Sequence, residues 1–191
     1  MNPIEKFVEW LDKAKATKAI TEPTAMTLAT ADASGAPSAR MVLLKDVDER
    51  GFVFYTNLES RKSGEIKQNP NVALCFYWMT LKRQVRVEGH IEQVSDIEAD
   101  AYFATRARDS QIGAWSSQQS RELSGKAELM AAIAKNTLKF AGRAVPRPPH
   151  RSGWRVIPSR IEFWQEGSFR IHDREVFIRE GEGWDVKKLY P

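Results

Sequence analysis

Two cations bracket the segment RMVLLK, residues 40–45. Successive side chains of a β-strand point to opposite faces, so Arg40, Val42 and Leu44 would share one face and Met41, Leu43 and Lys45 the other. Each face then carries one positive charge among apolar neighbours, an arrangement suited to holding anions. A second cationic group follows in YTNLESRK, residues 55–62, where a strand signal ends and Ser60 can cap a helix opening with Arg61 and Lys62. The unpaired N–H groups of a helix N-terminus favour an anion, whereas cations in a first turn oppose the helix dipole. A negative ligand would reconcile the two. Taken singly, each of these cations reads better as a solvated surface or strand-end charge; taken together, that reading weakens. No Gly-rich Lys-Ser/Thr loop and no Gly-x-Gly-x-x-Gly signature accompanies them, so a phosphate monoester matches better than a nucleoside triphosphate or dinucleotide.

Two further constellations carry possible chemistry. Tyr102, Arg106 and Ser110 stand four residues apart in YFATRARDSQIGAW, a spacing that aligns them along one face if a single helix runs through them. That face would suit a second phosphate; the alternative is an ordinary solvated helix with a buried tyrosine. In FRIHDR, residues 169–174, a strand would put Arg170, His172 and Arg174 on one face. A histidine between two arginines is harder to protonate. His172 would then serve as a neutral hydrogen-bonding group, unless it is simply structural. His90 and His150 lack companions at ligand spacing, and no metal site is expected.

These residues need a scaffold. A chain of 191 residues with 42% hydrophobic content suffices for one domain with a sizeable core. Its formal charge of +4 is too small to imply nucleic-acid binding. The lone Cys75, inside VALCFYW, reads as a small buried hydrophobe and fits a reducing cytoplasm. Neither a signal peptide nor an apolar run of ~18 residues is present, so a soluble protein without a membrane partner is expected. An amphipathic helix over about 3–18 sets Ile4, Phe7, Val8 and Leu11 on one face behind Asn2 as cap and Pro3 in the first turn. Strand signals follow at 24–30, 38–45, 51–56, 71–78 and 83–93. A helical insertion over about 95–141 opens on a Ser95–Glu98 capping box and later spaces Met130, Ile133, Ala134 and Leu138 helically. After a proline-rich connector at 142–153, strands return at 154–157, 159–165, 168–172, 175–179 and 184–189. Many short strands with few helices predict a mainly β fold with helical insertions, closed or nearly closed into a barrel.

The chain resembles the pyridoxine (pyridoxamine) 5'-phosphate oxidase family. The resemblance runs from about residue 3 to the C-terminal LYP and is carried by RMVLLK (40–45), FYTNLESRK (54–62), RQVRVEG (83–89), YFATRARDSQIGAW (102–115), QQS (118–120), IEFWQ (161–165) and RIHDR (170–174). It implies a split β-barrel homodimer with FMN at the subunit interface. The implied reaction oxidises pyridoxine or pyridoxamine 5'-phosphate to pyridoxal 5'-phosphate, with dioxygen as acceptor and hydrogen peroxide as product. Carried over position by position, FMN should meet Arg40, Met41, Val42, Leu43, Leu44, Lys45, Tyr55, Thr56, Arg61, Lys62, Gln84, Gln119, Ser120, Trp164 and Arg174. The substrate should meet Lys45, Tyr102, Arg106 and Ser110 through its phosphate, and Arg170, Ile171 and His172 near the reacting carbon, with Arg170 and His172 as the catalytic pair.

On this reading Arg40 serves the flavin phosphate, Lys45 serves the substrate, and the strand between them spaces two anions. Three departures stand out. The chain starts nearly at its opening helix, where many members carry a basic leader that closes over the substrate, so a lid is not expected. Met79 replaces a usual polar residue. Arg151 in HRSGWRV stands where the family commonly has tryptophan. Similar split-barrel proteins supply two other readings: a flavin oxidase acting on a phenazine precursor, and a non-catalytic carrier of flavin, haem or pyridoxal phosphate.

Overall fold

A computed structural model describes residues 2–191, in which the chain divides into two compact units. The first takes in the chain up to Phe54 together with Glu65–Glu92 and Arg155–Pro191; the second takes in Tyr55–Gly64 and Gln93–Trp154. Helix α1 spans Pro3–Ala16, and the Asn2 side chain accepts the Ile4 N–H at 2.9 Å as its N-cap. Its apolar face supplies the first unit's core. The Phe7 ring lies 4.8 Å from Phe52 and 4.9 Å from Phe76, and Trp10 lies 5.2 Å from Phe163.

The strands are β1 (Ala25–Ala31), β2 (Pro37–Leu43), β3 (Asp46–Asp48), β4 (Gly51–Asn57), β5 (Asn71–Trp78), β6 (Arg83–Gln93), β7 (Arg151–Gln165), β8 (Asp173–Glu180) and β9 (Gly183–Lys188). They form one sheet in the order β2-β1-β5-β6-β7-β4-β3, with β8 added to β7 and β9 to β8. The expected mainly β architecture with helical insertions is therefore present.

Three strand expectations need correction. The strand expected over 38–45 stops at Leu43, because the next two N–H groups turn to different partners: Leu44 to the Thr24 carbonyl at 2.9 Å and Lys45 to the Val53 carbonyl at 2.8 Å. Leu44 is buried in the core, and Lys45 is exposed on a two-residue connector. The strand expected over 168–172 is a tight 3-10 turn, Ser168–Arg170, with Phe169 (φ 56) and Arg170 (φ 64) in left-handed conformation. This reversal lays β8 back on β7, with Trp164 opposite Arg174. Gly167 permits it, since a Cβ there would lie 1.8 Å from the Ile171 carbonyl oxygen. The two strand signals at 154–157 and 159–165 are one continuous β7 that starts earlier, at Arg151.

In the second unit the predicted capping box is formed. Ser95 and Glu98 exchange backbone-to-side-chain bonds at the start of α3, Asp96–Ala104. Helices α4 (Arg108–Ser116) and α5 (Lys126–Lys139) follow, and Phe103, Ile112, Ala114, Phe140 and Val145 form the core. The single helix expected through Tyr102, Arg106 and Ser110 is broken. The Tyr102 carbonyl accepts the Thr105 N–H at 3.1 Å and hydroxyl at 2.7 Å, and Gln111 donates to the Phe103 carbonyl at 3.0 Å, which closes α3 after Ala104. The packed face of α5 also differs from expectation. Leu129, Ala132, Ile133 and Asn136 are half-buried, whereas Met130 and Leu138 are exposed. Asn136 fixes that rotation by donating to Ser116 Oγ at 3.0 Å.

The Tyr55 and Tyr102 rings stack 3.7 Å apart at an interplanar angle of 7°. Gly153 leaves them room, because a Cβ there would lie 2.8 Å from the Tyr55 ring. Gly153→Ala should displace Tyr55 and lower stability by about 1–3 kcal/mol, the usual cost of overpacking. Urea unfolding checks the size, and near-ultraviolet circular dichroism checks the loss of the stacked pair.

A second expectation concerns acid. In the first unit Asp48 accepts Arg155 at 2.9 Å and a two-pronged contact from Arg50 at 2.9 and 2.7 Å. Partial burial pulls its carboxyl upward, but hydrogen bonds from the Arg50 side chain and backbone, with the Arg155 charge, hold it below the usual carboxylate range. A depressed folded-state pKa stabilises above the unfolded value, ~4, and that stabilisation is lost as pH falls through the folded value. Asp48→Asn should therefore cost about 1 kcal/mol at neutral pH and flatten the loss of stability below pH ~4 in denaturant titrations at several pH values.

Candidate functional site

In the first unit, the β1–β2 register sets Arg40 opposite Leu28 and Ser38 opposite Thr30. The half-buried Arg40 guanidinium donates to the Leu28 carbonyl at 3.3 Å, to Thr30 Oγ1, to Ser38 Oγ at 2.6 Å and to Glu65 Oε2 at 2.9 Å. Glu65 comes from α2, Arg61–Gln68, and its side chain is only 7% exposed. Sequence reading missed this counter-ion because it lies 25 residues away and no local spacing pairs it with Arg40. Val42 is half-buried on the same face, while Met41 and Leu43 are exposed on the other. Gln84 is half-buried on β6, opposite Tyr77.

Trp164, Arg170 and His172 line an open recess of about 800 Å³ together with Gly167 and Pro191. The His172 ring lies 4.8 Å from that of Trp164, and its Nδ1 accepts the Gly167 N–H at 3.3 Å, which leaves the ring proton to Nε2. The expected strand face of Arg170, His172 and Arg174 is not formed, since Arg170 lies on the turn and His172 in the short link before β8. Ile171 is exposed beside them. Arg174, at the start of β8, pairs with the buried Glu162 at 2.7 Å and donates to the Tyr190 carbonyl at 3.0 Å.

In the second unit Lys62 is buried, and its ammonium donates to Thr56 Oγ1 and Ser60 Oγ at 3.1 Å each and to Gln119 Oε1 at 3.4 Å. Arg61 is exposed at the first position of α2. Ser120, next to Gln119, is exposed with φ 71. Nearby in the same unit, Tyr55, Thr56, Tyr102, Arg106, Arg151 and Ser152 line a cavity of about 60 Å³, with Arg147 at its wall. Tyr102 and Arg106 are thus brought together as expected, by the end of α3 and the turn after it. Ser110 is exposed on α4 and does not line the cavity.

Burial holds the Tyr102 phenol above its ordinary range, against the pull of Arg106 and Arg151. Burial likewise lowers the Arg151 guanidinium, and the like charge of Arg106 adds to this. In the sequence Arg151 stands out only as a departure from the family pattern; the fold brings it to the cavity. Among the described residues no group of three or more His, Cys, Asp or Glu side chains is arranged to hold a metal ion, and no helix is long and apolar enough to cross a membrane.

This geometry can be set beside known proteins. The pyridoxamine 5'-phosphate oxidase family profile matches residues 12–165, and the pyridoxine 5'-phosphate oxidase C-terminal dimerisation region matches residues 152–191. The chain is 56% identical over its whole length to a pyridoxine/pyridoxamine 5'-phosphate oxidase of Myxococcus xanthus, covering 92% of that protein. It is also 56% identical to the enzyme of that name from Rhodospirillum rubrum, covering all of this chain and 96% of the relative. Among solved structures, PhzG from Burkholderia lata, in complex with tetrahydrophenazine-1-carboxylic acid, superposes with a TM-score of 0.94 at 32% identity, covering 100% of this chain and 93% of that one. An FMN-binding, oxidase-related protein of Nostoc punctiforme shares the fold with a TM-score of 0.79 at 14% identity, covering 100% and 99%. The fold is the split β-barrel, and the chain belongs to the pyridoxamine 5'-phosphate oxidase family.

Proposed function

We propose that this protein is an FMN-dependent oxidase that converts pyridoxine 5'-phosphate and pyridoxamine 5'-phosphate to pyridoxal 5'-phosphate, with dioxygen as acceptor and hydrogen peroxide as product. The observation that carries the reading is the small cavity of about 60 Å³ lined by Tyr102 and Arg106, a cationic pocket suited to a phosphate group. The 56% identity to oxidases of that name supports it. Tyr102 and Arg106 hold the substrate phosphate, and Lys45 is assigned to the same anion. Arg170 and His172 face the reacting carbon, where His172, with Nδ1 already accepting from Gly167, offers Nε2 to the substrate.

The residues assigned to FMN suit it chemically. Lys62 carries its charge among hydroxyl and amide oxygens, Arg40 and Arg61 are further cations, and the exposed Met41 and Leu43 are apolar surface of the kind a flavin ring covers. When bound, FMN supplies the two-electron redox chemistry and its reoxidation by dioxygen. The chain's own contribution is placement of the donor carbon and the phosphate, a positioning effect that can lower a barrier by several kcal/mol. Residues 152–191 supply the contact for a homodimer with FMN at its interface. The single cysteine fits a cytoplasmic enzyme.

The likeness to PhzG favours one other reading, oxidation of a phenazine precursor on the same scaffold. The purified protein should be yellow. Pyridoxamine 5'-phosphate, added without air, should bleach it, and air should restore the colour. Bleaching by a dihydrophenazine carboxylate but not by either phosphorylated vitamer would move the assignment to that rival, and no bleaching by any donor would leave a carrier.

Arg106→Ala and Arg61→Ala separate the two anions. A charge-assisted hydrogen bond is worth roughly 1.5–3 kcal/mol, so each loss should weaken its own ligand about ten- to a hundredfold. Arg106→Ala should weaken the phosphorylated substrate while flavin content stays normal, and Arg61→Ala should do the reverse. Flavin fluorescence quenching in the apo-proteins and substrate titration of the holo-proteins give the two affinities.

A further inference from the structure

The second unit contains buried cationic chemistry beyond Tyr102 and Arg106. Arg151 lies at the start of β7 with its side chain in the cavity wall, beside Ser152. Its Nε is buried without a hydrogen-bond partner, and so is Oγ of Ser152, a residue only 2% exposed. Buried polar groups are ordinarily satisfied, and leaving one unpaired is costly. The acidic residues near the cavity do not meet this need. Asp96 and Asp100 pair with Arg147, at 2.7 and 2.6 Å. Arg147 also donates to the Arg151 main-chain carbonyl at 2.6 Å, so it braces the backbone that carries Arg151. Among the described residues, Arg106 and Arg151 make no ion pair, and both line the same cavity.

Tyr102, Arg106, Arg151 and Ser152 line one small space, and its two unpaired guanidinium groups make it suited to an oxyanion. A cavity takes about 10–15 Å³ for each water-sized occupant. The volume of about 60 Å³ exceeds that several times over, which leaves room for a compact anion.

We propose that Arg151 and Ser152 are additional ligands of the anion held by Tyr102 and Arg106, so that this cavity grips a phosphate monoester with two guanidiniums and the Ser152 hydroxyl. The identification of that monoester as a B6 vitamer rests on the function proposed above; the anion site itself does not. Arg151 also explains its own departure from the family pattern, since the arginine adds a second charge at the phosphate. Its burial and the nearby charge of Arg106 disfavour its cationic form without a ligand, and a dianion would reverse that penalty.

The test uses the full-length holo-protein, wild type and with Arg151→Met, Arg151→Lys or Ser152→Ala. Each is titrated with pyridoxal 5'-phosphate, pyridoxal and inorganic phosphate, and thermal unfolding is followed with and without phosphate. Arg151→Met should weaken pyridoxal 5'-phosphate and inorganic phosphate about ten- to a hundredfold while leaving pyridoxal unchanged, and Ser152→Ala about three- to tenfold. Arg151→Lys should recover part of the loss. Removing an uncompensated buried charge should also raise the melting temperature of ligand-free Arg151→Met and abolish the rise that phosphate gives the wild type.

Equal binding of pyridoxal 5'-phosphate by wild type and Arg151→Met overturns the proposal and leaves the oxidase reading intact. A lowered melting temperature with the phosphate response retained also overturns it, by making Arg151 structural. Arg151-dependent binding of inorganic phosphate by a protein that ignores pyridoxal 5'-phosphate upholds the anion site and rejects the B6 reading.

Discussion

A guanidinium held out of water needs a counter-charge, and the supply of those counter-charges organises much of this protein. Glu162, only 2% exposed on β7, pairs with Arg174 of β8 at 2.7 Å and Arg160 at 3.1 Å, and lies 3.5 Å from Arg86 of β6. One carboxylate thus ties three neighbouring strands. Glu65 does the same for Arg40, with Thr30 and Ser38 completing its hydrogen bonds. Asp96 and Asp100 neutralise Arg147. Where an internal carboxylate is provided, the cation is framework as well as a possible ligand contact. Among the described residues Arg106 and Arg151 receive none, and both line one cavity.

Arg40 illustrates how the two roles combine. Its guanidinium is held in place by four acceptors, so its orientation is set before any ligand arrives. A fixed donor loses little freedom on binding, but its charge is already shared with Glu65. The Lys62 ammonium donates to two hydroxyls and an amide oxygen. The turn at Phe169 and Arg170 adds another kind of preparation. Two consecutive non-glycine residues at positive φ are costly, and such strain persists where surrounding structure enforces it, here the β7–β8 hairpin and the close approach at Gly167.

The relatives show how far a scaffold constrains chemistry. PhzG superposes almost completely on this chain, yet its crystal structure holds a tetrahydrophenazine carboxylic acid, whereas the relatives at 56% identity are oxidases of phosphorylated vitamers by name. A fold of this kind hosts more than one substrate, so the choice among them is made by side chains at the site and not by the sheet.

What the sequence determined by itself is what local spacing controls. The Asn2 and Ser95 caps, the strands at 71–78 and 83–93, the alternation that half-buries Arg40 and Val42 while exposing Met41, and the seven ordered motifs of the family were all legible, because each depends on residues within a few positions of one another. Tertiary structure decided the rest. It ended β2 at Leu43 because hydrogen-bond partners changed, closed α3 at Ala104 through Thr105 and Gln111, and turned 168–170 back on itself so that β8 could pair with β7. It also brought Glu65 to Arg40 across 25 residues and placed Arg151 and Arg106, 45 positions apart in the chain, on one cavity. Long-range pairing of charges is invisible to periodicity, since the residues concerned share no element and meet only when the chain has folded.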